Sequence, residues 1–339
     1  MNEKIDNPIT KYRKLIILFI ILLLAVIAGI SNLDNIQDSL HEMFSASFDS
    51  VIMLIGLLVL YILVDAKLLQ VSVASDLKFF KFLLINLSGS FFSGVTPLYI
   101  GSYPSRFYYL NKEKVHTDKV LAGLTVKGLI YQVVVIFIGL MGLLVGGGKL
   151  IEQGGYKSVL LIGIIYNLLT VVPLVMISLF PWFSNLLVRI VNKLSLRFNK
   201  VNDKKELIIN SVNNYYKNTR KIYTDRNYFL SVTFLTIIKQ IIFYTMPFVV
   251  LNGLRLDISS NYLLIIGIAA IIEIVVAFFP TPGGMGAREA AFIIFYGILY
   301  DIPTTINAGL LINSLFSYYS LIILGLIATL YLETKKRKK

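Results

Sequence analysis

Two short stretches carry residues whose types and spacing suit the binding of an anion. Thr96-Pro97-Leu98-Tyr99-Ile100-Gly101-Ser102 and Thr281-Pro282-Gly283-Gly284-Met285-Gly286-Ala287 share the pattern T-P-x-x-x-G-small. Each follows a pair of phenylalanines, Phe91-Phe92 and Phe278-Phe279. Arg106 comes shortly after the first stretch, and Arg288 and Glu289 come directly after the second. Glycine lets a backbone approach a guest closely. A helix starting near Ala287 would aim free N–H groups and the positive end of its dipole at the Pro280–Gly286 tip. Phosphate or carboxylate is the natural guest of such a helix start. A tight turn between two helices is the plainer account of the same prolines and glycines.

Other ionisable groups lie inside apolar segments, where charge is costly and therefore points to function. They are Lys127 with Gln132, Lys239 with Gln240, and Glu273. Lys127 stands about two turns into its helix, within snorkelling reach of the interface. Lys239 stands mid-segment, where snorkelling is harder. Glu273 stands about two turns before the Pro280 break and is placed to pair with Arg288 or Lys239. A structural ion pair and a proton-coupling role are equally open for it. Asp65-x-Lys67 falls at a predicted helix end and reads as a membrane-surface anchor.

The elements that must hold these groups are membrane helices. Hydrophobic residues are 56% of the 339 and charged ones only 15%, with a mean hydropathy of +0.75. An ordinary soluble domain carries about a quarter charged residues. Strand-period alternation, the mark of a membrane barrel, is missing. Cysteine is absent, which excludes disulfides and thiolate chemistry. His41 and His116 lie in polar connections and cannot form a metal site alone. The net charge of +13 is assigned to basic loops beside the inner leaflet rather than to nucleic-acid binding.

Apolar segments run near Leu15–Ile30, Phe44–Val64, Phe79–Val95, Val120–Val145, Ser158–Phe180, Phe229–Leu251, Tyr262–Phe279, Arg288–Tyr300 and Ile306–Leu332. No small-x-small cleavage site follows the first, so it reads as a membrane helix rather than a removed signal. A span needs about 20 residues, which gives an all-α polytopic membrane protein of about 6–8 transmembrane helices. Ser31–Ser50 is acidic and predicted outside. Phe183–Tyr228 has ten basic residues against three acidic, and it is predicted cytoplasmic with the Lys335–Lys339 tail and the N-terminus.

By the same charges Phe79–Leu110 begins and ends inside, while Tyr262–Tyr300 begins and ends outside. Two re-entrant or broken hairpins entering from opposite faces satisfy this, as do pairs of short full crossings. The arm from Arg288 spans only roughly 20 Å, short of a roughly 30 Å hydrocarbon core, which favours the broken geometry. Interrupted apolar segments in two halves of a chain point to a transport site. The expected organisation is one membrane domain, residues 1–339, with half-repeats near 44–145 and 229–332 around the basic 183–228 loop. In that loop Leu186, Leu187, Ile190, Val191 and Leu194 recur at helical spacing beside Arg189, Lys193 and Arg197. This predicts an amphipathic helix, lying on the inner leaflet or serving as a linker.

Enzymatic signatures are missing: there is no G-x-S-x-G, no Walker sequence, no H-E-x-x-H. No cofactor and no metal is expected.

Phe279-Pro-Thr-Pro-Gly-Gly-Met-Gly-Ala-Arg-Glu-Ala-Ala resembles the signature of the lysylphosphatidylglycerol synthase transmembrane family, also called the flippase-like domain. Thr96 through Leu110 resembles that family's upstream T-P-x-x-x-G-G-E-P-x-R-x-x-x-L segment, with Tyr103 standing where many members have Glu. The resemblance covers almost the whole chain and implies movement of lipids, or lipid-linked groups, between leaflets of a cell membrane. Family members that lysinylate phosphatidylglycerol carry an additional soluble aminoacyltransferase domain, and this chain stops at Lys339. A stand-alone membrane domain that is not itself the transferase is therefore expected.

Three functions remain: a lipid translocase, a membrane partner presenting lipid to a separate aminoacyl or glycosyl transferase, and an ion-coupled small-solute transporter using Glu273 and Lys239. The expected partner is an anionic phospholipid headgroup, with a separate transferase and a homodimer as further assemblies. The expected substrate-binding residues are Thr96, Pro97, Gly101, Arg106, Lys239, Glu273, Pro282, Gly283, Gly284, Gly286, Arg288 and Glu289.

Overall fold

The structure, a computed structural model, describes residues 36–146, 180–196, 225–258 and 261–334, with isolated positions between 165 and 220. Leu15–Ile30, most of Ser158–Phe180, the tail and much of the basic loop lie outside the described residues. Among the described residues the chain is helical, with no strand.

Amphipathic α1 (Ile36–Phe44) leads into α2 (Phe48–Val73), α3 (Phe79–Val95), α4 (Ser102–Lys112) and α5 (Thr117–Gly146). After α6 (Pro181–Ser195) come α7 (Arg226–Gly253), α8 (Tyr262–Val276) and α9 (Ala287–Tyr300). Then α10 (Pro303–Ser314) passes through a π-helical turn at Leu315–Tyr319 into α11 (Ser320–Thr334). Among the described residues four elements are long and apolar enough to cross a membrane: α2, α5, α7 and the continuous α10–α11. The shorter α3, at 17 residues, and α8, at 15, are apolar too. They span roughly 25 and 22 Å, below a full hydrocarbon thickness.

The order long helix, short helix, T-P tip, short helix, long helix occurs in α2–α5 and again in α7–α11. The two stretches interlock: α2 packs on α7, α3 on α11, and α8 on α5. Small residues allow the close crossings, as expected where helices cannot be driven together by water. Gly142 of α5 and Gly267 of α8 face each other so closely that a Cβ on either would meet the other's backbone. A Cβ on Gly325 of α11 would likewise meet the backbone of α3 at Leu87 and Phe91. Across the α3–α11 seam Thr329 Oγ1 donates to Ser88 Oγ at 2.9 Å, and Tyr109 of α4 donates to Glu333 at 2.9 Å.

Sequence and structure agree closely at Phe79–Val95. They differ at α2, which runs nine residues past Val64. The apolar pattern stops at Asp65, but the helix does not, because that carboxylate is buried among cations. In α6 the apolar stripe Leu186, Ile190 and Leu194 is exposed, with Leu187 and Val191 half-buried beside it.

Replacing Gly267 by Leu should therefore separate α8 from α5 and lower the thermal unfolding midpoint in detergent by several degrees, the equivalent of about 1–3 kcal/mol for overpacking. Gly56→Leu is the control. A Cβ there meets nothing within 4 Å, so the midpoint should hold or rise slightly as helix propensity improves.

Candidate functional site

The two T-P tips meet. Gly283 N–H donates to Thr96 O at 3.1 Å, and Pro97 and Pro282 face each other in an antiparallel bridge. The tips also share a conformation that the sequence match does not reveal. Gly283 and Gly284 are left-handed at φ 55° and 65°, and Leu98 and Tyr99, at the equivalent places, are left-handed at φ 56°. Such a conformation costs a residue with a Cβ roughly 1–2 kcal/mol, so packing must hold Leu98 and Tyr99 there. At the second tip a Cβ would not fit: one on Gly283 would strike Tyr318 and Gly94 O, and one on Gly284 would strike Tyr99 and Val276.

Several other N–H groups of the tips are used within their own tip. Gly101 N–H donates to Thr96 Oγ1 at 2.9 Å, Gly284 N–H to Thr281 O at 3.1 Å, and Gly286 N–H to Glu289 Oε2 at 2.7 Å. In the first turn of α9, Arg288 N–H donates to Gly284 O and Ala290 N–H to Gly286 O. The expected row of free backbone donors is therefore not present at these positions. Thr96, Pro97, Gly101, Pro282, Gly283, Gly284, Gly286 and Glu289 build the tips, and Glu289 closes the start of α9.

Against the tips lies a cavity of about 520 Å³, lined by residues of α2–α5, α7–α9, the π-helical turn and α11. Four residues of the sequence-derived set line it: Arg106, Lys239, Glu273 and Arg288. Lys127, Gln132 and Gln240 join them. So does Asp65, which sequence reasoning had placed at the membrane surface. Asp65, Lys127 and Lys239 are only 3%, 5% and 7% exposed. Lys127 does not snorkel: its Nζ donates to Asp65 Oδ1 at 2.8 Å. Lys239 Nζ lies 3.7 Å from the same oxygen. Arg106 Nη2 lies 3.6 Å from Asp65 Oδ2, and Asn86 Nδ2 donates to that oxygen at 2.7 Å. One carboxylate from α2 thus gathers cations from α4, α5 and α7.

Glu273 of α8 pairs with neither Arg288 nor Lys239. It accepts from the Tyr131 and Tyr244 hydroxyls, with Gln240 Nε2 at 3.4 Å. Arg288 instead donates to Tyr99 Oη at 2.8 Å and lies over the rings of Tyr99 and Tyr318, 5.8 and 5.5 Å from their centres. Lys239 sits 4.9 Å from the centre of the Tyr131 ring. Among the described residues the buried Nε atoms of Arg106 and Arg288 have no hydrogen-bond partner. Tyrosine gave no signal in the sequence because 20 of them are spread along the chain. Asp65 carried one: it is an acid next to an apolar run, opposite intramembrane lysines.

Four cations line the cavity against two carboxylates, a formal surplus of +2. Among the described residues no group of three His, Cys, Asp or Glu is placed to hold a metal ion. Long apolar helices around a buried polar cavity define a multi-pass helical membrane protein. Residues 14–325 match the lysylphosphatidylglycerol synthase TM region, and the chain belongs to that family. No curated protein matches it.

Removing the hub should expose its importance. Asp65→Ala leaves three cations facing one another, and loss of one partner from a buried pair costs about 3–5 kcal/mol. The variant should unfold at a clearly lower temperature in detergent, and adding Lys127→Met should restore part of the loss.

Proposed function

We propose that this protein is an integral membrane lipid translocase. The observation that carries the proposal is the cation-rich cavity where two broken helical hairpins meet. In this reading α2–α5 and α7–α11 are the halves of an inverted repeat. Loop charge sets α3–α4 entering from the cytoplasmic side and α8–α9 from outside, with both termini cytoplasmic. The contact between the tips then lies near the bilayer midplane, where transporters of this design hold their cargo. A lipid's anionic headgroup would enter the cavity against Arg106, Lys239 and Arg288, and its acyl chains would stay in the bilayer.

The physical logic is one of barrier lowering. A lipid crosses a bilayer slowly because its charged headgroup must enter hydrocarbon, where charge is costly. A cavity already lined by cations and hydroxyls replaces the headgroup's lost hydration. Broken backbone at this depth is tolerable because protein satisfies it, as the bond from Gly283 to Thr96 does here.

Arg288 is the most telling residue, since among the described residues no carboxylate lies within 4 Å of its side chain. Reconstituted into liposomes containing a labelled anionic phospholipid, the wild-type chain should accelerate exchange between leaflets. Arg288→Ala should reduce that acceleration by about tenfold or more, in keeping with loss of a charge-assisted contact. Its circular dichroism and elution volume should stay unchanged. Undiminished exchange by a folded Arg288→Ala protein would overturn the assignment.

A further inference from the structure

We infer that the lipid this cavity takes ends in a phosphate monoester rather than a phosphodiester or an amine-bearing headgroup. The inference rests on the translocase reading of the same cavity and deepens it. Its starting point is the charge surplus of +2, four cations against two carboxylates. Uncompensated charge away from water is costly, so the best guest cancels the surplus. A phosphate monoester carries about −1.5 to −2 near pH 7 and presents three acceptor oxygens. A phosphodiester carries a single negative charge and presents two free oxygens.

The donors point the same way. Arg106 and Arg288 come from different hairpins, and both line the cavity. Planar guanidinium groups favour multidentate contact with phosphate oxygens. Lys239, whose ammonium lies 3.7 Å from Asp65 and against the Tyr131 ring, supplies a third cation to the lining.

The acids weigh against the alternative. An aminoacyl or ethanolamine headgroup carries an ammonium and needs an anion to receive it. Asp65 is engaged by Lys127 and Asn86, with Lys239 and Arg106 beside it. Glu273 has both oxygens taken by tyrosine hydroxyls. Tyr103, which lines the cavity and is 43% exposed, offers a neutral phenol. Among the described residues, an ammonium would have to compete with two hydroxyls and Gln240 at Glu273 and with cations at Asp65, inside a lining that carries four cations. The volume of about 520 Å³ lies in the usual range for a small-ligand site, so the surplus, rather than space, selects.

The test is binding by the full-length protein in detergent, near pH 7, by thermal shift and by competition against a fluorescent phosphatidic acid. The probes are phosphatidic acid, phosphatidylglycerol, an aminoacylated phosphatidylglycerol and inorganic phosphate. Phosphatidic acid should half-saturate at about tenfold lower concentration than phosphatidylglycerol, the margin expected from one additional charge-assisted contact. The aminoacylated lipid should not compete. Inorganic phosphate should compete only at far higher concentration; competition equal to that of phosphatidic acid would make free phosphate the ligand and overturn the lipid assignment.

Lys239→Gln, which removes one unit of the surplus, should shrink the margin between the two anionic lipids towards unity. Tyr103→Glu should do the same from a partly exposed position and should admit the aminoacylated lipid. An unchanged margin in both folded variants overturns charge matching. Equal binding of both anionic lipids with leaflet exchange intact overturns the monoester assignment alone. Selective monoester binding without leaflet exchange leaves this inference standing and removes the translocase reading.

Discussion

The bond between Gly283 N–H and Thr96 O is the contact on which the site depends. Each hairpin breaks its helix at a T-P sequence, and a broken helix exposes backbone groups that hydrocarbon cannot satisfy. Neither tip settles this alone. The first uses Thr96 Oγ1 and the second uses Glu289 for part of the need, and the opposite tip supplies a further bond, from Gly283 N–H to Thr96 O. The interlocked packing follows, since α3 lies on α11 and α8 on α5. The halves cannot slide apart without unpairing the tips, and the space beside the paired tips becomes the cavity.

That cavity is ordered by one carboxylate. Asp65 is the common neighbour of cations from three helices, so α4, α5 and α7 are tied to α2 through a single side chain. In a low-dielectric interior such a hub carries risk, because a missing partner leaves unpaired charge. It suits the proposed binding of an anion, because three cations held around one acid remain in surplus. Glu273 plays a different part. Held by two phenols and an amide rather than by a cation, it shapes the wall without cancelling Arg288.

Much of this was legible in the residues. The paired T-P sequences, the bounds of α3 and the cluster of Arg106, Lys239, Glu273 and Arg288 all follow from rules about Pro, Gly and intramembrane charge. What stayed hidden has physical causes. A hydropathy run ends at a charge, so Asp65 reads as a boundary unless its partners, tens of residues away, are known. The left-handed Leu98 and Tyr99 carry no signal, because only their neighbours force that conformation. The use of the tip N–H groups could not be foreseen either: glycines that suit a ligand equally suit a tight crossing of two chains. The π-helical turn at Leu315–Tyr319, which supplies Ser317 and Tyr318 to the cavity wall, leaves no mark in an apolar run.

The two arginines show how a site can stay charged and still be ordered. Arg106 leans on Asp65 at 3.6 Å, while Arg288 rests on a phenol oxygen and two aromatic faces. Ring faces attract a cation without neutralising it. In the proposed reading, an arriving anion therefore need not break a carboxylate pair at Arg288, and it meets a guanidinium whose position is already fixed. Preorganised charge of this kind lowers the cost of binding, because ordering was completed in folding. The aromatic side chains around the cavity thus serve the same end as the glycines at the tips. They hold a strained, highly charged centre in place without using up the groups that would meet a guest.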